Sequence, residues 1–108
     1  MTTETKELLE QRERYNNGRD IKELASRNRE AFKTILKTMQ LNDNAEVPLI
    51  TVTMMYPNYV DLEHSMTEDE LNFRIKLLEN AGLISVREGS FGTQMVSITE
   101  YGTQRYIA

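Results

Sequence analysis

From Leu71 to Thr99 the hydrophobic period of the chain switches from that of a helix to that of a strand, with only a glycine turn at the junction. Leu71, Ile75 and Leu78 fall in one narrow helical stripe, and Ala81-Gly82 ends the run. Leu83-Ile84-Ser85-Val86-Arg87 and Gln94-Met95-Val96-Ser97-Ile98 then alternate apolar and polar, as half-buried strands do. Glu88-Gly89-Ser90-Phe91-Gly92-Thr93 is the hairpin turn between them. A helix that runs straight into a hairpin has little freedom, because its stripe must lie on the ribbon's apolar face. Thr67-x-x-Glu70 is a capping box that opens this helix, predicted over Glu68 to Asn80.

Upstream, residues 4–16 read as a charged helix with only Leu8, Leu9 and Tyr15 as apolar surface. Such a helix is marginal alone and needs something to dock on. Asn16-Asn17-Gly18 breaks it, and Asp20-x-x-Glu23 caps a second helix over residues 20–40. Ile21, Leu24, Ala25, Phe32, Ile35, Leu36 and Met39 recur there at helical spacing. Asn28, flanked by Arg27 and Arg29, interrupts the seam. It is either a solvated turn or a buried amide that fixes the register of a helix pair in a dimer. Residues 42–48 form a polar loop. Leu49 to Tyr56 reads either as a strand, from its β-branched content, or as a short strand plus helix, from its position. Pro57-Asn58 interrupts any helix, Tyr59 to Met66 is a second short element or an insert, and Thr99 to Gly102 starts a final turn or helix.

With 108 residues, 39% of them apolar, the chain supports one modest core: an accessory helix and break at 1–19, and one domain over 20–108. The net charge is −4 and the pI near 5.0, against the basic character usual in nucleic-acid-binding domains. Residues 34–66 hold one cation, Lys37, against Asp43, Glu46, Asp61 and Glu63. Residues 67–108 are acidic too, and the basic residues concentrate upstream in Arg12, Arg14, Arg19, Lys22, Arg27, Arg29 and Lys33, interleaved with glutamates. There is no cysteine, which excludes disulfides and thiolate metal sites. No apolar run approaches the roughly 18 residues of a membrane span, and MTTETKELLEQRER lacks a signal peptide's apolar core. A cytoplasmic protein with no membrane partner is expected.

Catalytic chemistry has no foothold in the pattern. The single histidine, His64, stands among Asp61, Glu63, Glu68, Asp69 and Glu70 without any recognised ligand spacing, so neither metal nor cofactor is expected. There is no nucleophile elbow, and no helix follows the Gly89–Gly92 turn to make it a phosphate cradle. The expectation is a non-enzyme. Met54, Met55 and Met66 read as core filling. Phe91, on the hairpin tip, either folds back on the ribbon or touches a partner.

Three motifs in order carry a resemblance. Leu71-x-x-x-Ile75-x-x-Leu78-Glu79, then Asn80-Ala81-Gly82-Leu83-Ile84, then Val96-Ser97-Ile98-Thr99-Glu100-x-Gly102 resemble the recognition helix, its exit into the wing and the closing motif of prokaryotic winged-helix regulators of the MarR and PadR type. The resemblance implies an α+β winged helix-turn-helix domain with an accessory N-terminal helix. It further implies a cytoplasmic DNA-binding transcriptional regulator, dimeric through its N-terminal helices at Leu24, Asn28 and Phe32. Double-stranded DNA would meet Asn72, Arg74, Lys76, Arg87 and Gln94, helped by the N-terminal arginines. This chain departs from the pattern at the outward positions. Asp69 and Glu70 repel phosphate, and Phe73 and Leu77 stack four residues apart opposite the core stripe. The alternative is a protein–protein interaction module on the same scaffold, with Phe73, Leu77 and Phe91 as its contact patch.

Overall fold

A computed structural model of the chain describes residues 3–56 and 66–107. The expectations for Pro57-Asn58, for the element from Tyr59 and for the surroundings of His64 lie outside the described residues. Among the described residues, five α-helices and a three-stranded antiparallel sheet follow in the order α1 (Thr3–Asn16), α2 (Ile21–Asn42), β1 (Val47–Pro48), α3 (Leu49–Met55), α4 (Glu68–Asn80), β2 (Ile84–Glu88), β3 (Gln94–Ile98) and α5 (Glu100–Tyr106). The fold is α+β. Among the described residues no helix is long and apolar enough to cross a membrane.

Both capping threonine and aspartate positions work at α2 and α4, but only in one direction. Asp20 Oδ1 accepts from the Glu23 N–H at 2.8 Å, and Thr67 Oγ1 accepts from the Glu70 N–H at 3.1 Å. The reciprocal reach of the glutamates is lost to arginines: Glu23 takes Arg19 and Arg27, and Glu70 takes Arg19, Arg27 and Arg74. A guanidinium offers a charge-assisted bond that outweighs a second backbone cap.

Leu49 to Tyr56, which reads both ways from sequence, is helical as α3 and its cap, and the short strand β1 falls just before it at Val47–Pro48, in the stretch expected to be a polar loop. Val47 pairs with Val96 of β3, and the chain then turns into α3. Proline has no N–H to extend a ladder, and its φ of −62° suits a helix start. Leu49, Val52 and Tyr56 then fall on the inner side at helical spacing, with Val52 and Tyr56 buried.

The hairpin register is Ile84↔Ile98, Val86↔Val96 and Glu88↔Gln94, and β3 is the central strand of the order β1-β3-β2. One core gathers Phe32 and Ile35 of α2, Val52 and Tyr56 of α3, Leu71, Ile75 and Leu78 of α4, and Ile84 and Val96 of the sheet. Each such side chain contributes on the order of 2 kcal/mol by leaving water.

Both later motifs have a physical meaning. Helix α4 ends in a Schellman turn: Gly82, at φ +78°, donates to Glu79 O and Leu83 to Leu78 O. Thr99 caps α5 by accepting from the Gly102 N–H, and its hydroxyl donates to Gly82 O at 2.6 Å. Gly102 is buried so tightly that a Cβ there would stand 2.0 Å from Leu83 O. The threonine and glycine of the closing motif thus fasten α5 to the end of α4, and Tyr106 of α5 packs on Phe32 at 4.7 Å.

Candidate functional site

The exposed side of α4, the outer side of α3 and the hairpin tip frame one concave face. A cavity of about 460 Å³ is lined by Leu49, Ile50, Thr53, Glu68, Asn72, Gly92, Thr93 and Gln94. An adjoining one of about 290 Å³ continues along Ile75, Lys76, Glu79 and Val86, sharing Leu49, Asn72 and Gln94. Beyond it, Arg87 and Glu88 complete the face toward the strand end. Of the five residues expected to read DNA, Asn72, Lys76 and Gln94 converge here.

The other two, Arg74 and Arg87, are engaged with carboxylates of the chain itself. Arg74 has no exposed surface. Its guanidinium donates to Glu70 at 3.2 Å, to Asn28 Oδ1 at 3.3 Å and to the Tyr15 carbonyl at 3.3 Å. Burial pulls its pKa below the ordinary arginine value, and Glu70 pulls back against it. Arg74 is therefore a bolt between α1, α2 and α4. Arg87 is exposed, but the alternation that turns Val86 to the core turns it the other way, across β3 onto Glu46. The bond holds the Glu46 carboxyl below the ordinary range and raises the Arg87 pKa.

The expected contact patch changes as well. Phe73 is 1% exposed, because Tyr15 of α1 stacks on it with ring centroids 5.2 Å apart. Leu77 is half-buried. The second apolar side of α4 is thus the seat of the accessory helix. Of the residues expected at a dimer seam, Phe32 lies in the core and Asn28 accepts from Arg74 of its own chain. Leu24 is half-buried. Among the upstream cations, Arg19 and Arg27 bind Glu70, and the Arg29 guanidinium lies 5.8 Å from the centre of the Tyr106 ring.

Phe91 is fully exposed, with φ +60° and ψ +30°. Among the described residues only one other non-glycine has a positive φ, Asp43. At Asp43 the left-handed turn ends α2, with the Asp43 and Asn44 N–H groups donating to Gln40 O and Met39 O. Aspartate tolerates that region; a phenylalanine held there costs about 1–2 kcal/mol. The strain has no return in packing at Phe91, and backbone strain of this kind gathers at functional positions.

Sequence reasoning missed Ile50, the exposed apolar residue that lines this face. Ile50 and Met54 are 65% and 71% exposed, four residues apart on the outer side of α3. Met54 is not core filling, whereas Met66 is buried. The signal was present in the helical spacing of Leu49, Val52 and Tyr56, which leaves Ile50 and Met54 outside. The strand alternative hid it. In comparisons with known proteins, no family model, no curated protein and no solved structure matches the chain.

Proposed function

We propose that the chain is a winged-helix module that docks a protein partner through the face between α3, α4 and the hairpin tip. Support for the winged-helix reading comes from the element order α2-β1-α3-α4-β2-β3 and the sheet order β1-β3-β2. In it α4 takes the place of the recognition helix and Phe91 stands at the tip of the wing. The observation that carries the docking reading is Phe91 itself, exposed and held in left-handed backbone next to Gly92, which lines one cavity with the exposed Ile50 of α3. Large aromatics in such positions are typical anchors of protein contacts. The module is non-catalytic and acts through binding.

The element order also favours a second reading, a DNA-binding regulator acting as a dimer. Against it stand Arg74 under α1, Arg87 on Glu46, and Glu68, Glu79 and Glu88 facing the place a phosphate backbone would occupy.

Two measurements separate them. Fluorescence anisotropy with mixed-sequence duplex DNA should show no binding that strengthens steeply as salt is lowered; such binding would restore the second reading. A photo-crosslinking phenylalanine analogue at position 91, introduced in the source cell, should give protein adducts that vanish with Ile50→Asp. Adducts to nucleic acid, or protein adducts indifferent to Ile50, would refute docking at this face.

A further inference from the structure

We infer that the partner presents a lysine- or arginine-bearing segment to this face, with an apolar side chain seated between Ile50 and the hairpin tip. The inference rests on the docking reading above and names the chemistry of its occupant. Glu68, Glu79 and Glu88 line the face from its α4 and β2 sides, and Asp69 is exposed next to Glu68. Lys76 and Arg87 are the cations among the lining residues, and the Arg87 charge is matched by Glu46. The face is therefore net negative, within a chain of net charge −4, and cations are both steered to it and retained at its rim.

The floor suits a polypeptide. Leu49 and Ile50 give it an apolar end, and Asn72 and Gln94 line the same cavity. Each carboxamide offers both a donor and an acceptor, which is what the N–H and C=O groups of a peptide backbone need. Phosphate-rich occupants, whether nucleic acid or an anionic membrane, meet the wrong sign of charge on every approach over Glu68, Glu79 and Glu88.

The test uses the full chain, isotope-labelled, and three probes: an amphipathic leucine–lysine peptide, a leucine–glutamate peptide of the same pattern, and mixed-sequence duplex DNA. The readouts are the side-chain amide signals of Asn72 and Gln94 and the backbone amide of Gly92. The leucine–lysine peptide should move all three and the leucine–glutamate peptide none. Glu68→Lys with Glu79→Lys should weaken the leucine–lysine peptide by about tenfold or more, as loss of complementary charge does. Should that double variant fail to fold, Glu88→Lys on the exposed strand end carries the same expectation. Shifts confined to other parts of the chain, no shifts with the lysine peptide, or binding unchanged by charge reversal would overturn the inference. If the glutamate peptide moves the same amides, the sign of the occupant is wrong while docking at this face stands. If duplex DNA moves them, docking of a protein fails as well.

Discussion

The Arg74 guanidinium, without exposed surface, lies 3.2 Å from the Glu70 carboxylate one helical turn before it, and Glu70 gathers Arg19 and Arg27 to the same point. One carboxylate thus holds three guanidiniums drawn from the α1–α2 turn, from α2 and from α4. Removing it leaves those cations facing one another in a partly buried site. Glu70→Gln should destabilise the protein by about 3–5 kcal/mol, the usual cost of stranding a buried charge. The paired replacement Glu70→Leu with Arg74→Met should cost less than Glu70→Gln alone, because no buried Arg74 charge is stranded. Urea titrations of the three proteins measure both quantities. Equal losses would show that the cluster is solvated rather than buried.

The stripe of α4 and the hairpin register were legible because each depends on a local period: Leu71, Ile75 and Leu78 are buried, and Ile84, Val86, Val96 and Ile98 face inward as the alternation requires. The burial of Phe73 and Arg74 was not legible. It depends on α1 returning to α4 through Tyr15, and no period in residues 4–16 specifies that docking. The spacing of Glu70 and Arg74 marked an i,i+4 pair, but nothing local says that two more arginines close over it. Local spacing alone therefore points Arg74 toward the candidate interface. The outward position of Ile50 is hidden in the sequence because β-branched residues favour strands on average, whereas here Pro48 stops the ladder and tertiary packing of Val52 decides.

Gly102 shows how far a motif glycine can be explained by space alone. A methyl group there would lie 2.0 Å from Leu83 O and 3.1 Å from the Phe32 ring, and neither can retreat without moving backbone or core. Gly102→Ala should cost about 3 kcal/mol or more, at the upper end of overpacking effects. The same change at Gly18, where an added Cβ meets nothing, carries only the cost of its left-handed φ of +79°, about 1–2 kcal/mol. Thermal or urea unfolding of the two variants should rank them in that order.

Tyr56 ties the end of α3 to the residue that resumes the described chain: the Met66 N–H donates to its hydroxyl oxygen at 2.8 Å. Burial raises the Tyr56 pKa above its ordinary value, with the Met66 N–H opposing and the charges of Glu30 and Glu70 adding to the rise. The folded state therefore favours the neutral phenol. That contribution is complete below the unfolded pKa of about 10 and is lost as pH rises through the higher folded value. Tyr56→Phe should cost about 1 kcal/mol at neutral pH through the lost bond. It should also lose less stability than the parent as pH is raised past 10, because the substituted ring cannot ionise. Urea midpoints across alkaline pH check both; parallel curves would mean that Tyr56 titrates alike in the folded and unfolded chain.

Phe91 separates stability from binding. Its ring touches no core and its backbone is held at φ +60°, so glycine relieves strain of about 1–2 kcal/mol and gives back part of it as unfolded-state entropy. Phe91→Gly should leave the protein equally stable or up to about 1 kcal/mol more so, which few substitutions of a large apolar residue do. The neighbouring turn should persist, since the Gly89 and Thr93 N–H groups donate to Thr93 O and Ser90 O through backbone that the substitution leaves in place. Binding of the leucine–lysine peptide should fall by about tenfold or more, as loss of an aromatic anchor does. Urea unfolding and the amide titration give the two numbers on one sample. A clear loss of stability would mean that the ring packs within its own chain, and unchanged peptide binding would remove the hairpin tip from the docking face.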